Sequence, residues 1–257
     1  MSALVNLKDV SLRFRLYNGY SGLKEAAMRV LSAQRWHKLP ELRKREFWGL
    51  RHIDLQLKEG DRIGIIGQNG AGKSSLLKVI SKIYRPTEGA VTVSGRLAPL
   101  IEIGAGFNPE LSGRENAYLN GSILGLKRSV IQERLNSIIE FSELSDFFDV
   151  PVKYYSTGMH LRLAYTIATE VSPDILILDE LYAGGDAAFI ERASQRLERF
   201  VNQSKILILV SHNLEYVEQF CNRAIVLHHG EIRAQGLPKQ CIEQYLHFCQ
   251  GDMNAYA

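Results

Sequence analysis

The residues best suited to chemistry are Gly67-Gln68-Asn69-Gly70-Ala71-Gly72-Lys73-Ser74, which fit the pattern G-x-x-x-x-G-K-[ST] and are followed by Ser75. Glycines let a backbone wrap closely around phosphate oxygens, so that its N–H groups and the start of a following helix meet negative charge. Lys73 would reach the β- and γ-phosphates as a point charge, and the Ser74 hydroxyl would hold Mg²⁺. A second feature is the run Ile175-Leu176-Ile177-Leu178, which closes on Asp179-Glu180. Asp179 suits a water-bridged Mg²⁺ ligand, and Glu180 is placed to polarise an attacking water as general base. An acidic pair at a strand end is usually a solvated turn; the phosphate loop is what favours the chemical reading here.

These groups need elements to present them. Arg62 to Ile66 reads as a short apolar strand running into the glycine loop, and Ser74 to Ser81 as the helix behind it. Ile175–Leu178 and Ile206–Val210 are apolar on both faces, as buried parallel strands are, so the carboxylates emerge at a carboxyl edge where such sheets bind ligands. Upstream, Leu4–Leu16 and Ile53–Leu57 alternate as strands do. Between them, residues 18–46 form an insertion with Leu23, Ala26, Ala27, Val30 and Leu31 at helical spacing. The insertion reads equally as a surface helix or as a face for a membrane or partner. Residues 113–172 form a mostly helical stretch punctuated by Gly113, Gly121, Gly125 and Pro151.

Further motifs follow at set intervals. Tyr155-Ser156-Thr157-Gly158-Met159 precedes the acidic strand, with a helix expected from Met159 to Val171. Gly184-Gly185-Asp186 lies just after Glu180, and His212 follows the strand Ile206–Val210. Together these resemble the ATP-binding-cassette transporter ATPases, whose signature segment, acidic strand, D-loop and switch histidine have this order and spacing. The resemblance implies an α/β fold: a P-loop NTPase core with a mostly parallel sheet, an N-terminal antiparallel β subdomain and an inserted helical lobe. The core would take about 1–112 and 173–257 of a single nucleotide-binding domain, and the lobe about 113–172.

The resemblance also implies ATP with Mg²⁺, and hydrolysis by Glu180, His212 and Lys73. Ser156 and Gly158 would then address the γ-phosphate of the ATP held by a second subunit, so that the working unit is a head-to-tail homodimer, with Thr157 and Asp186 as further nucleotide-binding candidates. Thr157 stands where the family usually has a second glycine, and Glu102 replaces the Q-loop glutamine as a candidate metal ligand. Among the aromatics before the core strand, Trp48 is the candidate to stack on adenine, with Phe47 and Tyr17 as alternatives. The segments Leu100 to Asn116 and Gly185-Asp186-Ala187-Ala188-Phe189 are similar to the exporters of O-antigen, capsule and teichoic-acid polymers. That likeness implies a lipid-linked polysaccharide as the transported substrate. With the chain ending soon after Tyr245, the short form lacking a C-terminal glycan-binding domain is expected.

Composition sets bounds on this reading. The 257 residues carry Lys+Arg 31 against Asp+Glu 28, and this even balance does not suggest nucleic acid as a partner. Cys221, Cys241 and Cys249 lack the spacing of a zinc site or a disulfide framework, which fits a reducing cytosol. No apolar run approaches the roughly 20 residues of a membrane helix, and the opening Met1-Ser2-Ala3-Leu4 is strand-like, unlike a signal peptide. The expected place is therefore peripheral, on the cytoplasmic face of the inner membrane beneath a separate polytopic transmembrane permease. The alternatives are the ATPase of another transporter class, such as an importer, and a soluble cassette ATPase acting on ribosomes or nucleic acid; the soluble ones generally have paired cassettes or long coiled-coil insertions. A regulatory cassette without hydrolysis would be expected to lose Glu180, His212 or Lys73, and all three are present.

Overall fold

The computed structural model describes residues 2–15, 46–100, 104–179 and 187–254. Expectations for Tyr17, the insertion up to residue 45, Glu102, Glu180 and Asp186 fall outside them.

Two sheets face one another. Strands β1 (Leu4–Arg15), β2 (Glu46–Lys58) and β4 (Glu88–Ser94) make an antiparallel sheet in the order β2-β1-β4. A six-stranded sheet combines β3 (Arg62–Ile66), β5 (Leu97–Leu100), β6 (Ile175–Asp179), β7 (Ile206–Val210), β8 (Arg223–His228) and β9 (Glu231–Gly236) in the order β5-β6-β7-β3-β8-β9. Every pairing in it is parallel except β8 with β9. A parallel sheet must be covered on both faces, which explains why β6 and β7 are apolar throughout. One face packs with Val5, Leu7, Ile53 and Leu57 of the antiparallel sheet and with Leu76, Leu77 and Ile80 of helix α1 (Lys73–Ile80). The other face packs against Phe200 and Val201 of α5 (Ala187–Gln203), Val217 of α6 (Leu214–Phe220) and Cys241 of α7 (Pro238–Asn254). The absence of a side chain at Gly64 sets the depth of that packing, since a Cβ there would lie 2.3 Å from Val217.

Helices α2 (Gly113–Ile123), α3 (Arg128–Ser142) and α4 (Thr157–Ala168) build a separate apolar cluster around Ala117, Leu135, Ile138, Phe148 and Leu163. Salt bridges join this cluster to α5: Glu170 faces Arg134 and Arg196, and Glu143 faces Arg162 and Arg192. The pairing arginines also lie over aromatic rings, Arg196 over Phe141 at 4.3 Å and Arg162 over Phe189 at 4.8 Å. Burial of the Glu170 carboxylate is tolerable because two guanidinium groups face it.

Three boundaries differ from the sequence reading by two residues or more. The second strand starts at Glu46, seven residues before Ile53, because β1 pairs with it all the way to Arg15↔Glu46 and because Arg13 and Arg15 both bridge to Glu46. Glu46 therefore belongs to the sheet and not to the insertion. Helix α4 spans Thr157–Ala168, not Met159–Val171. At its start the Ser156 hydroxyl accepts the Met159 N–H at 3.2 Å, a side-chain cap that begins the helix at Thr157. At its end the Thr169 hydroxyl donates to the Tyr165 and Thr166 carbonyls.

Candidate active site

The strand order brings the chemistry together. β6, β7 and β3 are neighbours, and their carboxyl ends lie at one edge, with Asp179 opposite Val210 and Val210 opposite Ile65. Just beyond those ends stand Asp179, His212 and the glycine loop. A cavity of about 770 Å³ opens there, lined at one end by Asn69, Gly70, Gly72, Lys73, Ser74, Ser75, Asp179 and His212. Its other end is formed by Phe14, Phe47, Trp48, Gly49 and His229.

The loop is held tightly from behind. Gly72 caps α1 with φ 105°, a left-handed backbone, and a Cβ on it would lie 2.6 Å from the Gly49 carbonyl. A Cβ on Gly67 would lie 2.3 Å from the Leu227 carbonyl, so glycine is required at both ends of the loop. Lys73 is 8% exposed, and its ammonium donates to the carbonyls of Gly67 at 2.6 Å and Gln68 at 3.0 Å. Gly67, Gln68 and the buried Ala71 thus frame the loop from behind and are not among the lining residues. The first turn of α1 contains no acidic residue, leaving the helix end positive toward the cavity. Together these make a cradle for an oxyanion chain. Ser74 and Asp179 add a hydroxyl and a carboxylate to the same cavity, the hard oxygen donors that suit Mg²⁺.

The aromatic end departs from the sequence reading in one respect. Trp48 lines the cavity with the Arg13 guanidinium 5.8 Å from its ring centroid, but Phe47 and Phe14 line it too, stacked at 5.4 Å. Phe14 was not foreseen, because its alternation in β1 looks like that of any core strand. Nor was His229, which has no motif; it follows β8 in the tight turn that returns the chain into β9.

Ser156, Thr157 and Gly158 are not among the cavity-lining residues. They occupy the exposed to half-buried N-terminus of α4. That terminus is fixed by a stitched pair of segments. Asn116, fully buried, holds the Asn108 N–H on its Oδ1, and its Nδ2 lies 3.0 Å from the carbonyls of Asn108, Leu111 and Ser112. Val152 and Lys153 N–H groups donate to Leu111 and Pro109, Lys153 pairs with Glu110 at 2.7 Å, and Arg114 grips Asp149 through two bonds. The Arg114 guanidinium holds the Asp149 carboxyl below its usual range, and Asp149 in turn raises Arg114. Tyr155 donates to the Phe147 carbonyl, and burial pushes its phenol up to about 12. His160, on the first turns of α4, packs on Phe107 at 4.7 Å, and burial holds its imidazole below the ordinary histidine range. Residues 108–116 therefore anchor the start of α4 mechanically, a role their sequence did not reveal.

A family described as ABC transporter matches residues 50–183. The chain belongs to the ABC transporter family. It is 43% identical to an O-antigen export system ATP-binding protein of Myxococcus xanthus over 95% of its own length, spanning 56% of that relative. An O-antigen export system ATP-binding protein of Klebsiella pneumoniae is 38% identical, with 95% of this chain and 98% of that one aligned. A teichoic acids export ATP-binding protein of Lactococcus lactis is 39% identical over 80% of this chain and 44% of its own. Among solved structures, the cassette MJ0796, a dimeric post-hydrolysis state bound to ADP and Pi, superposes with a TM-score of 0.65 at 20% identity, covering 91% of this chain and 98% of that one. That likeness establishes the cassette fold and bears out the expected α/β class.

Proposed function

We propose that this cassette is the ATP-hydrolysing subunit of an exporter that moves a lipid-linked polysaccharide across the inner membrane. It would work as a homodimer beneath a separate polytopic permease, at the cytoplasmic face. The observation that carries the reading is the single cavity holding Lys73, Ser74, Asp179 and His212 at one end and aromatic rings at the other, in a chain whose relatives are named for O-antigen and teichoic-acid export. Among the described residues no helix is long and apolar enough to cross a membrane, which supports dependence on a separate membrane subunit.

In this reading the loop N–H groups and Lys73 bind the phosphates, and Ser74 and Asp179 hold Mg²⁺. The ion supplies charge neutralisation on the β- and γ-oxygens. Glu180 accepts a proton from the attacking water, and His212 faces the γ-phosphate from the end of β7. The aromatic end takes adenine. Ser156, Thr157 and Gly158, on a capped helix N-terminus outside the cavity, address the nucleotide of the other subunit. The segment sewn together by Asn116 and Arg114 would pass movement between the permease and α4.

The export reading predicts that a strain lacking this chain loses its surface polymer and accumulates lipid-linked polymer inside, and that the wild-type chain restores export. Immunoblotting of surface and intracellular polymer reads both. Normal surface polymer in the deletion strain would overturn the polysaccharide assignment.

A further inference from the structure

The cavity has a phosphate end and an aromatic end, and the turn that carries His229, a residue of the aromatic end, is bonded to the phosphate loop. His229 lies between β8 and β9 with φ 47°, a left-handed conformation in which histidine, like asparagine and aspartate, is enriched among non-glycine residues. The next residue pins that turn to both halves of the site. The Gly230 N–H donates to the carbonyl of Ala71 in the phosphate loop at 2.9 Å, and the Gly230 carbonyl accepts the Arg51 N–H of β2 at 2.8 Å. A Cβ on Gly230 would lie 2.8 Å from the carbonyl of Gly49, itself a lining residue of the aromatic end. The His229 ring is exposed, lines the cavity, and is steadied by the edge of the His228 ring at 4.2 Å. A nucleotide bound with phosphates on the loop and base among the rings must lay its sugar between them.

We propose that His229 reads the ribose: its imidazole exchanges a hydrogen bond with one ribose hydroxyl and so favours a nucleotide that carries that hydroxyl over one that lacks it. This rests on the nucleotide assignment above and adds the part of the ligand that neither the phosphate loop nor an aromatic stack can distinguish. A neutral imidazole carries one donor and one acceptor, which suits a hydroxyl that both gives and takes a proton. Phe14 and Phe47 offer π-faces to that end of the cavity and no hydrogen-bonding side-chain atom. Among the described residues of that end, Trp48 adds another side-chain donor through its indole N–H.

The test is calorimetric titration of the whole chain with ADP, 2′-deoxy-ADP and 3′-deoxy-ADP. Two variants guard the turn: His229→Gly accepts the positive φ freely, and His229→Asn retains a residue that tolerates it. The wild type should bind one deoxy analogue about tenfold more weakly than ADP, the scale of one lost hydrogen bond. Both variants should bind ADP about tenfold more weakly and treat that analogue and ADP alike, while their thermal unfolding stays at the wild-type temperature. Undiminished ADP affinity in the variants, or unchanged preference against the deoxy analogue, would overturn the assignment to His229. A wild-type chain that ignores ADP altogether would instead sink the nucleotide reading, and this inference with it.

Discussion

Replacing Lys73 by alanine should weaken ATP binding by about 100-fold or more and remove measurable hydrolysis. Lys73 is 8% exposed and its ammonium already engages the Gly67 and Gln68 carbonyls, so it sits within the loop's curvature and not at its rim. In the proposed nucleotide complex its positive charge would face the β- and γ-oxygens, and each charge-assisted hydrogen bond contributes roughly 1.5–3 kcal/mol. Two such contacts account for the expected loss. The loop should survive the change, because Gly230 and Gly49 brace it independently of Lys73. Fluorescent nucleotide titration together with phosphate release reads both effects, and unaltered affinity would show that the phosphates bind elsewhere.

Glu180→Gln should separate binding from turnover. Glutamine keeps the size of the side chain and removes its basicity, so the rate of hydrolysis should fall about 10²–10⁴-fold, the span assigned to a positioned general base. ATP affinity should stay close to wild type, since loop, lysine and magnesium donors are untouched. Gel filtration with ATP should then show a dimer that persists, where the wild type returns to monomer as its ATP is consumed. Turnover near the wild-type rate would remove Glu180 from the role of base.

The phosphate loop and the strand carrying Asp179 were legible in the sequence because each depends on local chemistry: glycines where a backbone must bend, and an unbroken apolar run where a strand is buried on both faces. The switch histidine was legible through its interval from the acidic strand, and the structure places His212 in the same cavity as Lys73. Features made by distant pairing were not legible. Phe14 reaches the site only because β1 runs beside β2 as far as Glu46, and the Arg13 and Arg15 bridges that extend the pairing cross the insertion. His229 reaches it only because the β8–β9 turn is bonded to Ala71 and Arg51. Asn116 looked like part of a family pattern, and its function as the buried knot of residues 108–116 needed the coordinates of three carbonyls. The start of α4 lies two residues before Met159 because the Ser156 side chain caps the helix from Thr157.

The proposed function demands a site shared by two chains, the cavity from one and the capped start of α4 from the other. In one chain Ser156, Thr157 and Gly158 stand at the exposed to half-buried start of α4. The most direct measurement mixes Lys73→Ala chains with Ser156→Arg chains and follows phosphate release, with native mass spectrometry counting heterodimers. Each parent homodimer has two damaged sites, whereas the heterodimer gathers both lesions into one site and leaves the other whole. With random pairing, half of the dimers carry one working site, so the account predicts that activity returns to roughly a quarter of the wild-type value. Mixtures as inactive as either parent, with heterodimers plainly formed, would contradict it.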